Sequence, residues 1–91
     1  MEFDPGINLT EEAELLKVLG NPVRLRIVAF LSMGESNVKC IWDYLGLPQA
    51  TVSQHLALLK DKRIITGVRD GVEVRYSVIN PLARKIMALV G

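Results

Sequence analysis

Apolar residues recur at three- and four-residue intervals in five stretches of this chain and at two-residue intervals in one. Periods of 3.6 and 2 are those of a helix and of a half-buried strand, so the contrast marks out the elements. Leu15, Leu16, Val18 and Leu19 predict a helix from about Thr10 to Leu19, with Thr10 as its N-cap, Glu11 and Glu12 at its positive end, and Gly20 as its stop. Asn21-Pro22 restarts the chain as N-cap and first-turn proline, and Val23, Ile27, Phe30 and Leu31 make one face of a second helix ending at Gly34. Ser36 or Asn37 caps a short third helix, with Val38, Ile41, Trp42 and Leu45 on one side and Gly46 at its end.

Only Leu47 and Pro48 separate that helix from the next, Gln49 to Lys62, whose apolar side is Val52, Leu56 and Leu59. Two helices joined by a tight glycine-containing turn are the sequence sign of a helix-turn-helix. After Arg63 the period changes. Ile64 to Val68 and Val72 to Val78 are rich in β-branched residues, and Val72, Val74, Tyr76 and Val78 alternate with Glu73, Arg75 and Ser77. Asp70-Gly71 between the runs predicts a type I′ hairpin turn. Asn80-Pro81 then opens a last helix, Leu82 to Val90. The expected fold is mainly α with a small β-hairpin, in the order α-α-α-α-β-β-α, a winged helix-turn-helix. Residues 1–9 read as a tail and residues 10–91 as one DNA-binding and dimerisation domain.

Composition agrees with a single small domain: 91 residues, 49% of them hydrophobic, are too many apolar positions for a disordered chain and too few residues for two domains. A chain this short buries only part of its surface, so a second copy would add to its core. In the last helix Leu82, Ile86 and Leu89 form one stripe and Ala83, Met87 and Val90 another, and a helix apolar on two sides needs more than one partner. No apolar run is long enough for a membrane span, and the acidic N-terminus lacks the order of a signal peptide. With a single cysteine, Cys40, this leads us to expect a cytoplasmic protein.

The net charge of +1 conceals a gradient. Residues 1–14 carry Glu2, Asp4, Glu11, Glu12 and Glu14 and no base, whereas residues 15–91 hold all eleven bases and the other five acids. Binding to a polyanion needs a basic face rather than a basic total. The alternative is a solvated, mildly basic surface.

The fourth helix carries the sharper signal. Opposite Val52, Leu56 and Leu59, its face is centred on Gln54, with Ala50, Ser53 and Ala57 beside it, Thr51 at the edge and Gln49 in the first turn. Gln pairs bidentately with an adenine edge, Ser and Thr reach several bases or a phosphate, and Ala50 or the Thr51 methyl suits a thymine methyl. Small side chains also let a helix approach the floor of a major groove. An ordinary surface helix carries Glu and Lys instead, and the first ten residues here have no charged side chain apart from a titratable His55. His55 lies beside the buried stripe and has two readings: a donor to a phosphate, or a ring packed at the helix edge. Arg69 at the hairpin tip and Arg75 on the second strand suit phosphates, with Lys60, Lys62 and Arg63 as alternatives and Asp70 and Glu73 diluting the field.

Three segments resemble the ArsR-type (ArsR/SmtB) family of winged-helix transcriptional repressors. They are Leu16 to Leu31 (LKVLGNPVRLRIVAFL), Gly46 to Leu59 (GLPQATVSQHLALL), and the wing from Ile64 to Tyr76 with its Arg69, Gly71 and Tyr76. The resemblance spans about residues 10–90. It implies a homodimer formed through the first and last helices that represses from double-stranded operator DNA and leaves it when an inducer arrives. Carried over by position, the DNA contacts fall on Gln49, Thr51, Ser53, Gln54 and His55, while Pro48 stands where the family has serine.

The family's inducer sites do not carry over. Its paired cysteines of the third helix align with Asn37 and Lys39, with Cys40 one residue beyond, and its Asp and His ligands of the last helix have no counterpart. One Cys and one His far apart do not make a thiol-rich cluster, so we expect no metal site and no cofactor, and the inducer is unassigned. Cys40 has two readings, a thiol switch assisted by Lys39 or an inert side chain. We expect no enzyme activity, because the one His has no nucleophile and orienting acid at a motif spacing. The remaining rival is a winged-helix module that docks a protein.

Overall fold

The computed structural model describes residues 6–90. Five helices and three strands follow in the order α1 (Thr10–Leu19), α2 (Pro22–Ser32), β1 (Ser36–Asn37), α3 (Val38–Leu45), α4 (Gln49–Asp61), β2 (Ile65–Asp70), β3 (Glu73–Val78) and α5 (Pro81–Val90). This is the expected winged helix-turn-helix with one addition. The four-helix, two-strand, one-helix order omits β1, which pairs antiparallel with β3 through Ser36 opposite Tyr76 and Asn37 opposite Arg75. Two residues show no period, so the chain alone does not announce this strand. Its effect is large: β3 becomes the centre of a β1-β3-β2 sheet, so Arg75 and Ser77 are half-buried rather than solvated.

Three helices start on an asparagine, Asn37 for α3 and two others that share one design. Asn21 Oδ1 accepts from the backbone N–H groups of Val23 and Arg24, and Asn80 Oδ1 accepts from that of Ala83. Each cap is followed by proline at the first helical position, whose missing N–H costs nothing there. Each is also followed by an arginine, Arg24 and Arg84, at the end of the helix that disfavours a cation. Both guanidiniums turn back to the preceding element: Nε of Arg24 donates to the Val18 carbonyl at 2.7 Å and Nε of Arg84 to that of Val78 at 3.0 Å. Elsewhere the ends depart from expectation. Thr10 is the first residue of α1 and not its cap, because the Asn8 side chain takes the Thr10 N–H instead.

The core lies where the helices meet one end of the sheet. Ile27, Val28, Ile41, Val52, Leu59, Ile64, Ile65 and Val78 are all but inaccessible, joined by Leu15, Val18 and Leu19 of α1 and Ala83 and Met87 of α5. Phe30 and Tyr44 stack between α2 and α3 with ring centres 4.3 Å apart, and Arg26 lies over the Tyr44 ring. In α5 the Ala83–Met87 side faces this core. Leu82 and Leu89 of the other stripe face outward, and so does Val90, which shares a stripe with Ala83 and Met87.

Both strands begin one residue later than the pattern suggested, and the first runs on to Asp70. Asp70 pairs with Glu73, so the hairpin turns on Gly71 and Val72 rather than on Asp70 and Gly71. Gly71 has φ +67° and Val72 does not have positive φ, the sign pattern of a type II′ turn. Val72 is therefore the tip of the wing, 95% exposed, and not part of a half-buried strand. Helix α4 stops at Asp61, one residue short of Lys62. Arg63 follows in the left-handed region at φ 58°, its N–H bonded to the Lys60 carbonyl and that of Ile64 to Leu59, which is a Schellman ending. Of the tail, Met1 to Pro5 lie outside the described residues, and Ile7 to Leu9 form no regular element. Among the described residues no helix is long and apolar enough to cross a membrane.

Candidate nucleic-acid interface

The α3–α4 turn is built from Gly46, Leu47 and Pro48. Gly46 ends α3 in the left-handed conformation, φ 65°, with its N–H on the Trp42 carbonyl at 2.8 Å. Pro48 has extended backbone and no side chain able to cap, so no side chain fills the first turn of α4. Its free N–H groups and positive dipole end are open toward an anion.

Val52, Leu56 and Leu59 anchor α4 in the core, and this fixes which residues point away. Gln49, Ala50, Ser53 and Gln54 are exposed and Thr51 is half-exposed. The face is thus laid out as its periodicity requires, uncharged over its first turns and free of bulky side chains. Such a surface presents hydrogen-bonding groups to base edges without the desolvation cost of an ionised side chain.

His55 is not an ordinary surface ring. It is half-buried, and its Nδ1 lies 3.4 Å from Nη1 of Arg24, the same arginine that holds the Val18 carbonyl. Burial, reinforced by the Arg24 charge, holds its pKa below the usual 6.5. Arg24 is the residue that pattern reasoning missed. It is 31 positions from His55, and no spacing rule links an N-terminal arginine of one helix to the middle of another.

The wing divides its two arginines. Arg69, opposite Val74, is exposed and has no ion-pair or hydrogen-bond partner among the described residues. Arg75 instead faces three carboxylates, Asp70 at 3.4 Å, Glu73 at 3.8 Å and Glu35 at 4.0 Å. Glu73 also accepts from the Asn37 amide at 3.1 Å, which ties the wing to the cap of α3. Between α4 and the sheet, Ser53, Leu56, Ala57, Lys60 and Tyr76 line a narrow cleft.

Cys40 sits in the first turn of α3 with its side chain exposed and its backbone N–H on Asn37 Oδ1. Asn37, which occupies one of the positions aligned with the family's paired cysteines, is committed to that cap.

A helix-turn-helix with an uncharged outer face and an adjoining hairpin is a DNA-reading arrangement, and known proteins share it. Residues 21–66 match the model of the bacterial regulatory protein arsR family. PagR, a transcriptional repressor of Bacillus anthracis, is 41% identical over 85 residues, covering 92% of this chain and 85% of that protein. Its crystal structure has a TM-score of 0.84 to this chain at 42% identity, covering 91% of this chain and 95% of that one. The transcriptional repressor SmtB of Mycobacterium tuberculosis is 44% identical over 68 residues, which are 75% of this chain and 50% of SmtB. A solution structure of the homodimeric winged helix-turn-helix DNA-binding domain of Mb0332 from Mycobacterium bovis has a TM-score of 0.80 at 28% identity, covering 96% of this chain and 86% of that one. On residues, fold and relatives together, this chain belongs to the arsR family of bacterial regulatory proteins and is a winged helix-turn-helix, DNA-binding transcription regulator.

Proposed function

We propose that the protein is a homodimeric repressor that seats α4 of each copy in the major groove of a pseudo-palindromic operator. The observation that carries this reading is the outer face of α4, where Gln49, Ala50, Ser53 and Gln54 are exposed and uncharged; the wing adds Arg69, whose side chain is exposed and has no partner among the described residues. Gln49, Thr51, Ser53 and Gln54 read base edges, Ala50 lets the backbone approach, and Arg69 holds a phosphate. Arg75 acts differently. Its carboxylate partners neutralise it, and it braces the wing that carries Arg69.

The second copy packs on α1 and α5. Leu16, Leu82 and Leu89 are exposed on those helices at 55%, 37% and 87%, and the Mb0332 domain of the same fold is homodimeric. A metal of the paired-cysteine kind does not release this protein, because Asn37 and Lys39 are poor ligands for it.

A filter-binding titration against salt tests the reading. Affinity for the upstream region of the protein's own gene is expected to exceed that for random duplex and to fall steeply as salt rises. Equal affinity for both duplexes would overturn the reading of a repressor acting at that region.

A further inference from the structure

Arg24 touches two elements with one guanidinium. Its Nε donates to the Val18 carbonyl at 2.7 Å, one of the carbonyls at the C-terminal end of α1 that no helical N–H can reach. Its Nη1 lies 3.4 Å from His55 Nδ1, on the exit from the reading face of α4. An arginine side chain only donates, so Nδ1 must accept, and the neutral ring then carries its proton on Nε2. That Nε2 has no partner among the described residues and is not a buried orphan: the buried unpartnered side-chain nitrogen of the described residues is Trp42 Nε1. The N–H of His55 is therefore held in one orientation and remains open to an outside acceptor, one residue beyond Gln54.

We propose that Arg24 is a positioning residue for the reading helix: it ties the end of α1 to His55 and fixes that ring as a neutral, Nε2-protonated donor to a DNA phosphate. The phosphate role rests on the operator reading above; the Arg24–His55 link does not. A guanidinium does this better than an ammonium because its rigid fork meets two acceptors at once. The link also gives α1, a helix of the proposed dimer interface, a polar route to α4 in addition to the apolar core.

His55 is the sole histidine of the chain, so its ring nitrogens are unambiguous by NMR in free protein. In the wild type we expect one neutral tautomer, protonated on Nε2. Arg24→Met is expected to give a mixture of tautomers and a raised ring pKa, since the bond and the like charge both go. Arg24→Lys, which keeps the charge but not the fork, serves if Arg24→Met does not fold: it should keep the lowered pKa and still mix the tautomers. Unchanged ring signals in the folded variant overturn the link.

Operator titrations test what the link serves. Arg24→Met and His55→Ala should each weaken binding about tenfold. The double variant should also lose about tenfold rather than a hundredfold, because both changes remove one contact. The salt slope of His55→Ala should match the wild type, since a neutral donor releases no counterion. Additive losses overturn the positioning role. A wild type that ignores its operator while its ring still responds to Arg24 sinks the operator reading and the phosphate contact, and leaves the link standing.

Discussion

Tyr76 lies across the hairpin from Gly67, and its ring fills the space that a side chain on that glycine would need. A Cβ at Gly67 would stand 3.1 Å from the Tyr76 ring and 3.0 Å from a Val74 methyl. Strand propensity favours valine here, whereas packing opposes it, since the Val74 and Tyr76 side chains would have to give way. Gly67→Val is expected to destabilise the protein by about 1–3 kcal/mol, the usual cost of overpacking. Urea unfolding checks it, and a stabilised variant would show that propensity wins.

Arg63 offers the opposite case. Its left-handed backbone costs an L-residue about 1–2 kcal/mol, and glycine takes that conformation freely. Arg63→Gly should therefore raise stability by about 1 kcal/mol, less the entropy glycine gives to the unfolded chain. A lowered urea midpoint would mean that the arginine side chain holds more than this strain.

His55 sets a pH dependence with a definite sign. Its native pKa lies below 6.5, so in acid the unfolded chain takes up the proton before the native one does. The stability it contributes is complete above 6.5 and is lost as pH falls through the native value. Unfolding free energies measured from about pH 8 to pH 5 should show wild type losing more than His55→Gln below about 6.5. Parallel curves would contradict the lowered pKa.

Gln54 and Arg69 should fail in different ways. Gln54→Ala is expected to cost about 1–3 kcal/mol on the operator and little on random duplex, as loss of a bidentate base contact does. Arg69→Ala should weaken both duplexes alike and reduce the salt slope by about one. Competition titrations with the two duplexes separate these outcomes.

Leu89 and Leu16 test the assembly. Each presents an apolar side chain to solvent in one copy, at 87% and 55% exposure. Leu89→Glu or Leu16→Glu would bury an unpaired carboxylate in a dimer through α1 and α5, and should shift sedimentation toward monomer. Operator affinity should fall with it, because two half-sites then bind independently. An unchanged sedimentation profile would place the interface elsewhere.

The parts of this fold that repeat were legible in the chain. Val52, Leu56 and Leu59 fix which side of α4 is buried, and so fix that Gln49, Ser53 and Gln54 face out. The parts that do not repeat were not legible. Ser36 and Asn37 form a strand only because β3 lies beside them. The hairpin turns on Gly71–Val72 because pairing of Asp70 with Glu73 sets the register, although Asp-Gly is the commoner turn pair. Arg75 looked free because its partners, Glu35 among them, meet it only after folding. Arg24 and His55 meet for the same reason, through the packing of α2 against α4.

The two-residue strand β1 has a mechanical consequence. It joins the cap of α3 to the central strand of the wing, both through the Ser36 and Asn37 ladder and through the Asn37–Glu73 bond. In the proposed complex α4 and the wing tip would be two jaws of a calliper joined through this sheet. A duplex that engages both must itself match their separation, so the groove width of a sequence, and the ease with which it bends, enters the choice of site alongside its base edges.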